Sequence, residues 1–315
     1  MNELSPSAAP AAARLRRAPP LLRVENLVKH FGVGTDLRGR PTHTVKAVDG
    51  VSFDVAPGEI LGLVGESGSG KSTTGRLVLR LENPTEGSIQ FEGQEITRLK
   101  GSNLTAVRKK LQVVFQDPYS SLNPRMRVGE SVGEPLRVHG MVRGKNEQRD
   151  RVAALFQRVG LDPRFMDRFP HQFSGGQRQR IGIARAIALG PKMIVADEPI
   201  TALDVSIQAQ IINLFLDLQE EMGMSYLFIA HDLGMVRYLC HRVAVMLRGR
   251  IVEMGPTASV FANPQHGYTR ALISAAPIPD PDREAARQRQ PFDPNTAPPP
   301  EARLTEVEQG HYALV

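Results

Sequence analysis

The stretch Gly65-Glu66-Ser67-Gly68-Ser69-Gly70-Lys71-Ser72 constrains this chain more than any other. It follows the apolar run Ile60-Leu61-Gly62-Leu63-Val64, which reads as a buried strand, and precedes Thr73 to Leu81, which reads as the start of a helix. G-x-x-x-x-G-K-S between strand and helix is the arrangement of a phosphate-binding loop. Its glycines let the backbone curl so that successive N–H groups point inward, with no Cβ to hold a phosphate away. The following helix adds about half a positive charge at its N-terminus. Lys71 is placed to reach the β- and γ-phosphates of a nucleotide, and the Ser72 hydroxyl to ligate Mg²⁺. A glycine-rich turn that binds nothing is the competing reading, and the Lys-Ser pair in register disfavours it.

Strand and helix patterns alternate around this loop. Leu21 to Leu27 and Val51 to Val55 read as strands, with Gly32 to Thr44 between them as a long loop. Ser88 to Phe91 and Leu111 to Phe115 are further strands. From Asp117 to Gly190 apolar residues recur at helical spacing, in Val152, Leu155, Phe156 and Val159 and again in Ile181, Ile183, Ala184, Ile187 and Ala188. Strand character returns in Met193 to Ala196, Tyr226 to Ala230 and Val243 to Leu247, with a helix from Asp204 to Met222. Such alternation implies a parallel sheet with right-handed crossovers. Residues 1 to about 20, rich in Ala, Pro and Arg, read as a disordered tail. After about Gly255 the chain becomes Pro-rich, with Pro277, Pro279, Pro281 and Pro298 to Pro300, which points to a small module followed by a floppy tail.

The 315 residues carry a formal net charge of +6. The cations are scattered and no basic block alternates with aromatic residues, so nucleic acid is not the partner that the charge implies. Arg14, Arg16 and Arg17 read as solvated, with contact to anionic lipid as the alternative. No apolar run approaches the roughly 18 residues of a membrane helix, and no secretory leader is visible at the N-terminus. A single cysteine, Cys240, excludes an internal disulfide and a cysteine-held cluster, and reads as a small buried apolar residue.

In parallel α/β sheets ligands collect beyond the carboxyl ends of the strands. Each of three apolar runs here ends abruptly in polar groups: Gln116 after Val114-Phe115, Asp197 and Glu198 after Val195-Ala196, and His231 after Ile229-Ala230. Asp197 has the position of a carboxylate that holds Mg²⁺, directly or through water. Glu198 can polarise a water as general base. Gln116 offers a neutral amide to Mg²⁺ or to that water, and His231 can donate to a γ-phosphate and steady Glu198. Singly, Asp-Glu-Pro could be a capping turn and His231 a structural histidine. In this order after a phosphate loop, the functional readings prevail. Phe173-Ser174-Gly175-Gly176-Gln177-Arg178-Gln179-Arg180 then starts a helix, where Ser174 and the glycine N–H groups form a second anion site. A second γ-phosphate site far along the chain makes sense if it serves a neighbour's nucleotide, in a pair of subunits packed head to tail.

The order Gly65–Ser72, Gln116, Ser174–Gln177, Met193–Glu198, Ala202-Leu203-Asp204, His231 resembles that of the ATP-binding-cassette ATPases over about residues 21 to 255. The resemblance implies an α/β fold: a P-loop NTPase (RecA-like) core with a mainly parallel sheet, an antiparallel β N-terminal part, a helical subdomain and a small C-terminal extension. The implied division is a tail over 1–20, an ATPase domain over 21–255 (core 21–116 and 191–255, helical subdomain 117–190), and an extension with flexible tail over 256–315. It implies ATP with Mg²⁺ as cofactors and nucleotide contacts from Gly65, Glu66, Ser67, Gly68, Ser69, Gly70, Lys71, Ser72, Thr73, Gln116, Ser174, Gly175, Gly176, Gln177 and Asp204. Ser72, Gln116 and Asp197 are the implied metal ligands, and Glu198 and His231 the catalytic pair. Phe31 falls where the family stacks an aromatic on adenine, with a core phenylalanine as the alternative.

Three further runs are similar to the dipeptide, oligopeptide and nickel importers of that family: Gln116 to Pro124, Ala202 to Gln210, and Val260 to Leu272, in which Gly267 stands where Pro is more usual. Of the two ATPase subunits that such importers have, the chain resembles the F-type one more. This implies a second, homologous ATPase subunit, two transmembrane permease subunits met through Gln116 to Pro135, and indirectly an extracytoplasmic solute-binding protein. The implied place is the cytoplasmic face of the inner membrane. A nickel, glutathione or other small-solute importer remains open beside a peptide importer, with a nucleic-acid-associated ATPase less favoured.

Overall fold

A computed structural model describes residues 19–35, 41–117, 121–201, 203–276, 290–293 and 302–314. The readings that fall on 1–18, on Pro118 to Ser120, on Ala202, on Pro277, Pro279 and Pro281 and on Pro298 to Pro300 lie outside these residues.

The described strands are β1 (Leu22–Thr35), β2 (Pro41–Val55), β3 (Ile60–Val64), β4 (Glu86–Phe91), β5 (Gln94–Glu95), β6 (Leu111–Val114), β7 (Met193–Asp197), β8 (Ser225–Ala230), β9 (Arg242–Leu247), β10 (Arg250–Pro256), β11 (Thr305–Glu308) and β12 (His311–Ala313). The described helices are α1 (Lys71–Val78), α2 (Gly101–Lys110), α3 (Val128–Val138), α4 (Lys145–Arg158), α5 (Gly175–Ile187), α6 (Val205–Met222), α7 (Leu233–Leu239), α8 (Thr257–Ala262) and α9 (Gly267–Ala275). The chain forms two compact units, residues 1–98 with 229–315, and residues 99–228.

In the first unit, β3 is buried at all five positions. A strand covered on both faces reads as a continuous apolar run, which is why Ile60 to Val64 stands out in the sequence. It pairs in parallel with β9, from Leu61 opposite Arg242 to Val64 opposite Val245. β9 turns back antiparallel into β10. Before it, the tight turn from β2 is clamped by Glu59, 1% exposed, which accepts from the Ala56 N–H at 2.7 Å and from Arg242 Nη1 at 3.1 Å. A second sheet of this unit has the order β2-β1-β4-β5. Its β1 and β2 are paired from Leu22 opposite Val55 out to Thr35 opposite Pro41.

That ladder corrects the long loop expected over Gly32 to Thr44 at residues 32–35 and 41–44; the part of that reading on 36–40 lies outside the described residues. Gly32 faces Thr44 and Val33 faces His43 in an extended hairpin. Val33 and Val45 are about half exposed, so burial leaves no alternating pattern for the sequence to show. α1 stops at Val78, short of the expected Leu81, because Arg80 turns to φ +54° and sends its Nε to the Ile96 carbonyl at 2.9 Å. The expected floppy C-terminal tail is corrected for residues 302–314. There β12 pairs antiparallel with β10, Glu253 opposite Ala313 and Met254 opposite Tyr312, and β11 pairs with β12. Gly310, at φ +70°, closes the hairpin.

In the second unit β6 and β7 run parallel, Leu111 opposite Met193 and Val114 opposite Ala196, with β8 beside β7. α6 lies over this sheet. Phe215 meets the rings of Tyr226 and Phe228 edge-on at 5.5 and 5.8 Å, a favoured geometry that buries all three. The segment before β7 is helical, as its spacing predicts. Val128, Val132 and Leu136 of α3, Val152 and Phe156 of α4, and Ile181, Ala184 and Ile187 of α5 are all buried at intervals of three or four. α5 begins at Gly175 on Ser174 as its N-cap, where the sequence places the start of a helix.

Candidate functional site

The first unit carries the phosphate loop. It leaves β3 at Val64 and enters α1 at Lys71. Gly65, Gly68 and Gly70 have φ of +148°, +80° and +105°, a region that L side chains rarely adopt. A Cβ on Gly65 would collide with the Met246 carbonyl oxygen, and one on Gly70 with that of Ala47. Gly68 has open space around it. The loop is therefore wedged against β9 and β2 on one side and bare on the other. Gly249 N–H donates to the Ser69 carbonyl at 2.9 Å and fastens the loop further to the turn after β9. Lys71 is only 4% exposed, and its ammonium donates to the Gly65 and Glu66 carbonyls at 2.7 and 2.8 Å. A buried cation resting on loop carbonyls is poised to exchange them for phosphate oxygens, which repay its desolvation far better. This cradle fits a nucleotide triphosphate tail.

In the same unit Phe31 lies in β1 opposite Val45 and is 36% exposed. It is not a core residue, which removes the alternative raised for it, and Lys29 Nζ lies 4.8 Å from its ring centroid. His231 directly follows β8, and its neighbour Asp232 caps α7 by accepting from the Gly234 N–H at 2.7 Å.

The second unit holds the carboxylates. Asp197 is the last residue of β7 and Glu198 the next. Glu198 has φ +47°, uncommon for a residue with a side chain and a form of local strain found at functional sites. Its Oε2 accepts from Gln116 Nε2 at 3.1 Å and from Thr201 Oγ1 at 3.3 Å. The structure thus brings Gln116 and Glu198 together, as their positions after adjacent strands suggest. Thr201 joins them unforeseen as a contact. Its only sequence signal is a hydroxyl three residues after a glutamate. Hydroxyl, amide oxygen and carboxylate are hard oxygen donors, so Ser72, Gln116 and Asp197 suit Mg²⁺ by type.

Ser174 and Gln177 form a reciprocal cap. Ser174 Oγ accepts from the Gln177 N–H at 3.3 Å, and Gln177 Oε1 accepts from the Ser174 N–H at 3.0 Å. Gly175 and Gly176 are glycines for a packing reason as well. A Cβ on Gly175 would sit 3.2 Å from Leu203 and one on Gly176 2.5 Å from Ile207 Cγ2. The start of α5 therefore lies tight against the segment of Leu203 and Asp204, which leads into α6. Behind it the Arg178 guanidinium, 6% exposed, donates through Nε to the Pro170 carbonyl at 2.9 Å, and burial pulls its pKa down.

A residue that sequence reading assigned no role also reaches the phosphate loop. Tyr268 of α9 takes the Glu66 N–H on its hydroxyl at 2.8 Å. Nothing local in the sequence links two positions so far apart.

Comparison with known proteins gives these features a family. Residues 48–201 match the ABC transporter model, and residues 252–301 match the oligopeptide/dipeptide transporter C-terminal region. The chain is 56% identical over 273 residues to the glutathione import ATP-binding protein GsiA of Pectobacterium atrosepticum, covering 87% of this chain and 43% of that protein. It is 58% identical over 265 residues to GsiA of Escherichia coli O6:H1, covering 84% and 42%. It therefore spans less than half the length of these curated relatives. Among solved structures it is similar to the ATP-binding cassette MJ0796 in a dimeric post-hydrolysis state bound to ADP and Pi. The TM-score is 0.66 and the identity 31%, over 75% of this chain and 98% of that one. The wedged phosphate loop, the carboxylates after β7 and the capped glycine pair of α5 thus sit in a chain that belongs to the ATP-binding-cassette ATPases of the ABC transporters, enzymes that bind ATP with Mg²⁺ and hydrolyse it.

Proposed function

We propose that this chain is the motor of an importer for short peptides and peptide-like solutes, with glutathione, a modified tripeptide, among the candidates. The observation that carries this reading is the second match, residues 252–301 with the C-terminal region of oligopeptide and dipeptide transporters. The relatives named for glutathione import favour glutathione over a nickel or other small-solute cargo. In this proposal an ATPase domain covers 21–255, with a core of 21–116 and 191–255 and a helical subdomain over 117–190, and the extension covers 256–315.

The residues divide the work in this scheme. Gly65 to Thr73 hold the phosphates by backbone N–H groups, the Lys71 ammonium and the Ser72 hydroxyl, and Phe31 offers its exposed ring to the adenine. Ser72, Gln116 and Asp197 would hold Mg²⁺, which would draw charge off the phosphates. Glu198, gripped by two neutral donors, orients and deprotonates water, and His231 donates to the γ-phosphate. Ser174 to Gln177 present a helix N-terminus to the nucleotide of a second, homologous subunit packed head to tail, with Asp204 beside them. Binding of ATP closes the pair and hydrolysis opens it. Residues 116 to 135 pass the motion to two permease subunits at the cytoplasmic face of the inner membrane, and an extracytoplasmic binding protein delivers the solute. No described helix is long and apolar enough to cross a membrane, which fits a peripheral subunit.

The test is uptake into liposomes carrying the permease pair, with both ATPase subunits present. ATP-dependent accumulation of labelled glutathione or dipeptide, lost with Glu198→Gln, supports the reading. ATP hydrolysis that responds to nucleic acid, with no solute uptake, overturns it.

A further inference from the structure

We infer that Tyr268 is a positioning residue of the phosphate loop, held in place by the C-terminal hairpin; this rests on the reading of Gly65 to Ser72 as a nucleotide site. The peptide plane between Gly65 and Glu66 is held at both of its polar groups. Its carbonyl accepts from the Lys71 ammonium at 2.7 Å. Its N–H donates to the Tyr268 hydroxyl at 2.8 Å. In a trans peptide these two groups point in opposite directions, so the plane is held from both sides. Gly65 has no Cβ to restrict rotation about its Cα–C bond, so the two hydrogen bonds set the orientation. When Lys71 turns its donors to phosphate oxygens, its grip on the Gly65 carbonyl loosens. The Tyr268 hydroxyl is then the tether that keeps the loop curled.

The tether has a rigid mount. Tyr268 is 2% exposed, and Phe292 meets its ring edge-on at 5.5 Å. Burial raises the phenol pKa to about 12, so the hydroxyl stays neutral in any ordinary assay. The N-terminus of α9 is fixed by a carboxylate with no exposed surface. Glu253 accepts from the Gln265 and His266 N–H groups at 2.8 and 2.9 Å, and from His311 Nε2 of β12 at 2.7 Å. His266 Nδ1 in turn accepts from the Tyr268 N–H at 3.1 Å. An unbroken series of bonded groups thus runs from β12 through Glu253 and α9 into the phosphate loop. The C-terminal extension is in this way part of the nucleotide site's support, which is a role beyond solute or permease contact.

Tyr268→Phe removes the hydroxyl and keeps the ring against Phe292. Calorimetry on the full chain, with Lys71→Ala alongside, gives the ATP dissociation constant, and the assembled complex gives KM and kcat. Loss of one hydrogen bond to a backbone amide predicts roughly three- to tenfold weaker ATP binding and a matching rise in KM, with kcat unchanged. A role in stability alone would lower Tm and leave ATP affinity intact well below Tm. Amide exchange at Glu66, faster in the variant, is an independent readout. If wild type binds ATP, Lys71→Ala does not, and Tyr268→Phe binds like wild type with unchanged Glu66 exchange, the inference falls and the nucleotide site stands. If Lys71→Ala binds ATP as wild type does, the nucleotide-site reading falls and takes this inference with it.

Discussion

Gln116 and Glu198 meet across 3.1 Å, amide to carboxylate, from the ends of the adjacent parallel strands β6 and β7. The second grip on Glu198, from Thr201, is also neutral. Two hydrogen bonds fix the aim of this carboxylate, which is what a general base needs. Glu198→Gln should retain ATP binding by calorimetry while phosphate release from the assembled complex falls by roughly 10²–10⁴-fold. Full steady-state turnover in that variant, with the partner ATPase subunit also carrying the exchange, would remove Glu198 from the mechanism.

Lys71 makes its contacts through charge, so Lys71→Ala should act on binding. Two or more charge-assisted bonds to phosphate are lost, and affinity for ATP should fall by about 10- to 100-fold or more. Titration calorimetry with Mg²⁺ present measures it. Because the side chain is buried within the loop itself, a modest fall in Tm should accompany the loss.

Ser174→Ala separates two roles of one hydroxyl. The cap it forms on Gln177 is solvent-exposed, and its removal should cost about 1 kcal/mol of stability. If the start of α5 serves a neighbour's nucleotide, ATP-driven association with the partner subunit should fail in the same variant. Sedimentation velocity with ATP, in a Glu198→Gln background that prevents hydrolysis, reads this directly.

Two histidines of the first unit predict a loss of stability in mild acid. Burial lowers the pKa of His241, whose Nδ1 accepts from the Ile60 N–H at 3.1 Å. Burial likewise lowers that of His266, against an opposing pull from Glu253. Both rings are favoured neutral in the folded protein, so below the ordinary value of about 6.5 the unfolded chain binds more protons. Their contribution is fully present above that value and is lost as pH falls through the lower folded values. Tm should drop between about pH 7.5 and about pH 5.5, and His241→Asn, which keeps an acceptor for Ile60, should flatten the drop. Calorimetric scans across that range test it.

Phe215→Ala should strongly destabilise the second unit. The ring is fully buried and meets both Tyr226 and Phe228 edge-on. Its removal leaves a cavity under α6 and should cost about 3–5 kcal/mol. Urea unfolding followed by tyrosine fluorescence measures the difference.

The parts of this chain that write themselves into the sequence are those whose physics is local. The phosphate loop is one, because its glycines, its lysine and the strand before it are contiguous. The strand-end polar groups are another, since an apolar run ending in Gln116, Asp197 or His231 needs no partner to be noticed. The capping pair of Ser174 and Gln177 is three residues wide. What stayed hidden depends on distant partners. The extended β1–β2 hairpin has Val33 and Val45 in the open, so no alternation marks it. The hairpin of β11 and β12 is short and follows a Pro-rich run, and only its pairing with β10 makes it a structure. Tyr268 reaches Glu66 across a separation that no pattern in one sequence can report. Glu198 adopts a left-handed backbone that its residue type argues against.

Strand β11 has a further consequence, concerning the company this protein keeps with itself. In the order of described strands its sheet ends on β11, after β12 and β10. That rim is four residues long, and it carries Glu306 and Glu308. A brief, acidic border offers a poor template for a foreign strand and repels a second border like itself. The two glutamates thus disfavour edge-to-edge pairing of one copy of the chain with another.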